Sequence, residues 1–430
     1  MKIEKIYARE ILDSNGNPTI ETTIELLDGT TGVASIPSGA STGKTEVLEL
    51  RDGDKKRYDG KGVLKAVDIV NKTIAPLFKD RTIENQEEFD RILLEADGTE
   101  LKTKLGGNSI LSCSIAFCRA VANSFGIEMY QYLGMIYWAD KYSNDKFQLP
   151  TPLLLVLEGG KHGDWATDIQ EYMVVPNIER FGSFTESLRA GVNVYKNLEQ
   201  ILIERNYSIG VGFEGAFAPK EIKGSNEEAF QIMVDAMEKA GFKPGSEFNI
   251  AIDVASSEFY DEDEKVYKLN AGKTPLTTDE WYAQQKELYS KYPIISVEDP
   301  FHEDDWETWT KFTADFGKDG KRTVGDDLLT TNVKRIEKCI KEKSANTLLA
   351  KPNQIGTVTE TLDAIRMATD NGMDSIVSHR SGETVDDFIA DLVVATPAKF
   401  SKFGGPVRGE RVAKYNRLLE IEKLLKGVDF

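Results

Sequence analysis

The chain is poor in the residues that build covalent or soft-metal frameworks. Its 430 residues include three cysteines, Cys113, Cys118 and Cys339, and three histidines. The cysteines are odd in number and lack metal-type spacing, and Cys113 and Cys118 fall in an apolar helical stretch. That speaks against a disulfide framework and a thiolate metal centre, and for small buried hydrophobes in a reducing compartment. Cations are also short. Lysine and arginine number 53 against 71 acids, a formal charge of -18. Nucleic acid and anionic membranes are therefore not expected partners, and an anionic substrate would need a local cationic pocket. No segment approaches membrane-spanning length, and "MKIEKIYARE" has no apolar h-region, so a cytoplasmic location is expected. Short-period repeats and low-complexity segments are missing too.

What is present is an ordinary globular composition, 40% hydrophobic and 29% charged. The length suits two domains, or one large barrel with an appendage. The first part reads as a strand meander followed by helices. In "PTIETTIELLDGTTGVASI", Ile20, Thr22, Ile24 and Leu26 share one face and "DG" turns the strand back. "GVLKAVDIVNKTIAPLF" and "GNSILSCSIAFCRAVANSFG" have helical spacing, the second apolar enough to be mostly buried. The polar "WADKYSNDKFQLPTP" marks the junction of an N-terminal domain over 1–140 with a second domain over 141–430.

Beyond Leu153, strands alternate with helices: "NIAID", "IISVED", "RTVGDD", "TLLAK", "SIVSHR" and "FSKFGG". Ser225 with Glu228, and Thr277 with Glu280, predict capping boxes at helix starts. Successive strand–helix units favour a parallel sheet closed into a barrel, whose chemistry sits at the carboxyl ends of the strands. Asp253, Glu298, Asp326, Lys351, His379, Arg380 and Lys402 all fall at such ends. Singly, a strand-end acid caps a helix or faces water, and a strand-end lysine extends to solvent. Together they describe one mouth. Three carboxylates without cysteine form a hard oxygen-donor set that favours Mg²⁺ over zinc. Lys351, Arg380 and Lys402 beside such a metal suit a small polyanion such as a phosphorylated carboxylate. Upstream, Glu171 in "DIQEYM" and Glu214 in "GFEGAFAP" are candidates for a general acid, against the plainer reading of loop charges in solvent. The loop "PSGASTGK" would let backbone N–H groups and hydroxyls approach phosphate or metal, although its spacing is not that of a Walker motif.

At these residues the sequence resembles the enolase family, in order from "LDSNGNPT", "SGASTG", "LELRDGDK", "DIQEYM", "EGAFAP", "DVASSEFY", "SVEDPF", "VGDDLLTTN", "NQIGT" and "SHRSGET" to "RVAKYNRLLEIE". The resemblance implies an α/β fold with a C-terminal eight-stranded enolase-type (β/α) barrel, begun by an antiparallel element, and an N-terminal α+β domain. It implies reversible dehydration of 2-phosphoglycerate to phosphoenolpyruvate with two Mg²⁺ per site, the second arriving with substrate. Carried over by motif, Asp253, Glu298 and Asp326 match the first metal's ligands, and Ser41 matches the loop serine of the second. Lys351 matches the base at C2, and Glu214 the acid at the C3 hydroxyl with Glu171 beside it. Arg380 and Ser381 match phosphate binders, Lys402 a carboxylate binder and His162 a closing-loop histidine; Gln170 and His379 line the site. A homodimer or an assembly of dimers is implied as well. Two other readings are a dehydratase or racemase of a nonphosphorylated carboxylate, and a noncatalytic enolase-like binding protein.

The pattern departs at Asn15, Lys44, Thr45, Glu158, Trp165, Phe213, Ala216 and Pro352, in loops and around the site rather than at the metal and proton-transfer positions. Two expectations follow. Arg380, Lys402 and the metal charge should lower the pKa of Lys351 toward a neutral amine, and the apolar neighbour Phe213 should favour protonated Glu214.

Overall fold

The computed structural model describes residues 1–39, 43–270 and 274–427. The chain opens with β1 (Ile3–Leu12), β2 (Pro18–Leu26) and β3 (Thr31–Ser35), an antiparallel meander in that order. Asp13 Oδ1 accepts the N–H groups of Asn15 and Asn17 and so folds the first turn. Ile20, Thr22, Ile24 and Leu26 are buried as their alternation predicts. They pack on the Gly107–Phe125 helix, in which Cys113 and Cys118 are fully buried. A side chain at Gly32 would place Cβ 2.1 Å from the Ala116 carbonyl oxygen, so sheet and helix meet there only through glycine. The predicted helix over "GVLKAVDIVNKTIAPLF" forms with a change of pitch. Leu64–Ile69 is α-helical and Val70–Ile74 widens to a π turn just before Pro76, whose ring cannot follow the normal ladder.

The remainder closes into an eight-stranded barrel. Its strands are β4 (Thr151–Glu158), β5 (Glu171–Pro176), β6 (Phe248–Asp253), β9 (Ile294–Glu298), β10 (Arg322–Gly325), β11 (Thr347–Ala350), β12 (Asp374–Ser378) and β13 (Phe400–Lys402). A short hairpin, β7 (Tyr260–Asp261) and β8 (Val266–Tyr267), lies outside it. The barrel interior is filled by Leu153, Leu155, Met173, Val175, Ala251, Val324, Leu349, Ile376 and Phe400. All-parallel pairing, expected from the strand–helix alternation alone, is incorrect for one strand, and the antiparallel element that the resemblance implies is present. β5 is antiparallel to both neighbours, because β4 is joined to it without a crossover helix. The reversal has a consequence for the mouth. β5 delivers its first residue there, Glu171, opposite the last residues of β4 and β6, Glu158 and Asp253.

Of the two predicted capping boxes, Thr277–Glu280 is reciprocal. Ser225 caps its helix, but the Glu228 carboxylate accepts the Tyr207 hydroxyl instead of reaching back to the cap. After β3, Ser38 exchanges backbone hydrogen bonds with Gly382, and Val47 N–H donates to the Gln354 carbonyl. No single helix among the described residues is long and apolar enough to cross a membrane.

Candidate active site

Asp253 and Glu298 end adjacent strands as register partners, and Asp326 follows the next strand, β10. Two ammonium groups cross to meet them. Lys402, the last residue of β13, lies 2.8 Å from both Glu298 oxygens, 3.2 Å from Asp253 and 3.0 Å from Glu171. Lys351, just past β11, lies 2.5 Å from Asp326 Oδ2, while Gln354 donates to Oδ1 at 2.7 Å. Pro352 is at home after Lys351, because it occupies the first turn of a short helix, where its missing N–H costs nothing. Burial opposes the Lys402 charge, yet Asp253, Glu171 and Glu298 hold it well above the usual lysine range.

Burial, Arg380 and Lys402 pull Lys351 toward the neutral amine, as expected of the two cations, but the touching Asp326 carboxylate outweighs them, and the net shift is upward. Asp326 itself is held below the ordinary carboxylate value: burial raises it, and Lys351 and Arg380 more than compensate.

The donor set suits a hard divalent cation. It consists of oxygens, and it carries an excess of acid. Glu298 is pushed well above the carboxylate range by burial and Asp253, Asp299 by burial and Asp326, and Asp327 by burial and Asp299. A cation among them would relieve that repulsion. Carboxylate oxygens of Asp299, Asp326 and Asp327 also lie within 4.8 Å of one another. Ser41 lies outside the described residues.

The opposite wall is carried largely by loops. His162 Nδ1 lies 3.5 Å from both Glu171 Oε1 and Glu214 Oε1. Burial works against the imidazolium, but Glu214 and Glu171 raise it to about 9, so His162 is charged at neutral pH. His379 has the contrary environment. Arg411 donates to its Nδ1 at 2.6 Å, which leaves the ring proton on Nε2, 3.2 Å from Glu214 Oε2. Burial and the Arg411 charge bring His379 to about 4, so it is neutral. Glu214 is raised by burial, but the two histidines and Arg411 bring it well below its ordinary value. The expectation that Phe213 keeps Glu214 protonated is therefore incorrect. The Phe213 ring is 40% exposed and does not enclose the carboxyl. The glycines about Glu214 have a steric reason: a Cβ on Gly405 would lie 2.1 Å from the Gly215 carbonyl oxygen, where Gly405 N–H donates to the Glu214 carbonyl.

Every candidate from the sequence lines one buried cavity, except Glu298, which lies behind the Lys402 ammonium, and Ser41. Gln170 and Ser381 are among the lining residues. The cavity measures about 30 Å³, room for about one water, because Lys351 and Lys402 reach across it. A larger anion must replace some of these ion pairs.

Sequence reasoning missed Glu46, which binds Arg380 Nη1 at 2.8 Å and Nη2 at 3.3 Å. It also missed Asp299, Asp327, Gln354 and Arg411. The "ED" and "DD" doublets at 298–299 and 326–327 were a visible signal, and Arg411 opens the "RVAKYNRLLEIE" motif without having been given a role. Several departures gather elsewhere. Asn15, Trp165 and Phe213 line an adjoining cleft of about 720 Å³ that shares His162, while Lys44 pairs with Glu262 at 2.7 Å.

Comparison with known proteins agrees with this architecture. Residues 3–133 match the family model "Enolase, N-terminal domain", and residues 146–428 match "Enolase, C-terminal TIM barrel domain". The chain is 48% identical over 423 residues to the curated protein "Enolase" of Bifidobacterium longum subsp. infantis, covering 98% of this chain and 94% of the relative. The "Enolase" proteins of Bifidobacterium longum strains DJO10A and NCC 2705 match with the same identity and coverage.

Proposed function

The chain belongs to the enolase family, and from that premise we propose that it is a hydro-lyase of the phosphopyruvate hydratase type. It interconverts 2-phosphoglycerate and phosphoenolpyruvate with Mg²⁺. The observation that carries this reading is the meeting of Lys351, Arg380 and Lys402 with Glu214, Asp253 and Asp326 around one cavity. A lysine or histidine base working with one or two Mg²⁺ ions is the known pattern of the superfamily.

Asp253, Glu298 and Asp326 would hold one Mg²⁺, and Ser41 would contribute to a second that arrives with substrate. Bound there, the ions supply positive charge against a carboxylate that gains electron density as its neighbouring C–H bond breaks. Lys351 takes the C2 proton and must be uncharged to do so. With the Asp326 and Glu298 charges compensated, burial, Arg380 and Lys402 act on Lys351, and each of these favours the amine. Arg380 exchanges Glu46 for the phosphate, with Ser381 beside it, and Lys402 binds the carboxylate. Gln170 and His379 complete the lining. Glu214 assists departure of the C3 hydroxyl as water, with Glu171 alongside; protonated His162, 3.5 Å from both carboxylates, keeps a proton within reach. Assembly as a homodimer, or dimers of it, belongs to the same reading.

Purified protein given 2-phosphoglycerate and excess Mg²⁺ is expected to generate the ultraviolet absorbance of phosphoenolpyruvate and to stop when EDTA is added. A folded sample that ignores 2-phosphoglycerate and turns over a nonphosphorylated hydroxy acid would replace this reading with the related dehydratase or racemase.

A further inference from the structure

β4 ends on Glu158, whose side chain is buried and makes no ion pair among the described residues. Its Oε1 accepts the N–H groups of Glu214 at 3.0 Å and Ala216 at 2.9 Å. Its Oε2 is buried with no hydrogen-bond partner among the described residues. The carboxyl lies on Gly212, where a Cβ would come 2.0 Å from Oε2 and 2.7 Å from the His162 carbonyl oxygen. Glu158 thus fills the place where the loop bearing His162 touches the loop bearing Glu214. Across the β4–β5 ladder it faces Glu171.

The ionisable groups that face it are Glu214, His162, Glu171 and the Tyr195 phenol. Burial and the charge of Glu214 push Glu158 up to about 8, against the Ala216 N–H and His162. Oε1 thus accepts two backbone N–H groups, while Oε2 has no hydrogen-bond partner among the described residues.

We propose that Glu158 is a positioning residue: it pins the backbone on both sides of Glu214 and so sets that carboxyl against His162. The proposal rests on the role given to Glu214 above. It places the influence of Glu158 on departure of the C3 hydroxyl, not on removal of the C2 proton by Lys351. Ionising Glu158 adds a third negative charge beside Glu214 and Glu171 and strains the arrangement.

The test uses the full chain with Mg²⁺, comparing wild type, Glu158→Ala and Glu158→Gln from pH 6.5 to 9.5. Glu158→Ala is expected to lower kcat for dehydration about tenfold, close to 1.4 kcal/mol, while C2 hydrogen exchange changes less than about twofold. Glu158→Gln keeps both N–H contacts and cannot ionise, so its kcat relative to wild type is expected to rise as pH passes about 8. Wild-type kcat in Glu158→Ala, equal loss of exchange and dehydration, or a flat Gln-to-wild-type ratio overturns the proposal. Should Glu158→Ala fail to fold, the ratio decides alone.

A melting series separates this proposal from the functional reading. A carboxyl raised from 4.5 to about 8 on folding loses stability as pH rises across that interval. The melting temperature of Glu158→Gln is therefore expected to gain on wild type between those values, whatever the substrate. No gain overturns the uncharged acid; a gain in a protein inert toward 2-phosphoglycerate overturns the enzymatic reading instead.

Discussion

The two walls of the site differ in how their charges are held. Asp253, Glu298, Asp326, Lys351 and Lys402 stand at strand ends or within two residues of them, and their ions meet at 2.5–3.2 Å. His162 and Glu214 stand on loops and keep 3.5 Å apart; His162 Nδ1 and Glu214 Oε2 have no hydrogen-bond partner among the described residues. A strand end is placed by its ladder, so its side chain arrives with little freedom. A loop is placed by backbone packing, here through Gly212, Gly215 and Gly405 and the carboxyl of Glu158. The strand wall sets two ammonium groups among its carboxylates and still carries an excess of acid, whereas the loop wall keeps a protonated histidine between two carboxylates.

If the walls serve different steps, damage to each should be separable. Lys351→Ala is expected to have the largest effect, lowering turnover by about 10³-fold or more and abolishing C2 exchange, with metal affinity largely kept. Near-normal turnover, followed by the rise in phosphoenolpyruvate absorbance, would remove the base assignment. Glu214→Gln should lower net dehydration by about 10²-fold and spare C2 exchange. Equal loss of both rates would merge the walls into one functional unit.

The next effect is on stability. His162 is raised on folding from 6.5 to about 9, so the stability of its imidazolium is complete below the first value and disappears as pH rises through the second. His162→Gln is expected to melt about 3 °C below wild type near pH 6 and level with it above about 9.5. A pH-independent gap would show that the loop wall does not hold that charge. Phe213→Ala should do least. With its ring exposed, it is expected to change stability by less than about 0.5 kcal/mol and kcat by less than about twofold. A larger loss would mean that Phe213 shapes Glu214 after all.

The strand wall was the legible one. "TLLAK", "NIAID" and "IISVED" each carry an apolar run that must be buried and a charge that cannot be, so the charge falls at the end. The helix over "GNSILSCSIAFCRAVANSFG" was readable for the same reason. β5 was harder. Its direction depends on a connection without a crossover helix, and no residue within "EYMVVP" reports whether a strand is parallel. Glu158 was noticed as a departure but without a role, because its partners are backbone N–H groups 56 and 58 positions away. Glu46 was not read at all, and Arg411 only as part of the "RVAKYNRLLEIE" motif, without a role. Each acts on a segment remote in the chain, and a lone charge in a polar stretch looks like any solvated one.

The sequence by itself determined which residues carry charge at the barrel mouth and which chemistry their types permit, because the burial of apolar runs and the exposure of their polar ends are local properties. Only the tertiary structure decided what state those charges are in. Asp326 shifts Lys351 toward the ammonium, the two histidines and Arg411 shift Glu214 toward the carboxylate, and burial shifts Glu158 toward the neutral acid, since a pKa depends on neighbours that the fold, not the chain order, brings together.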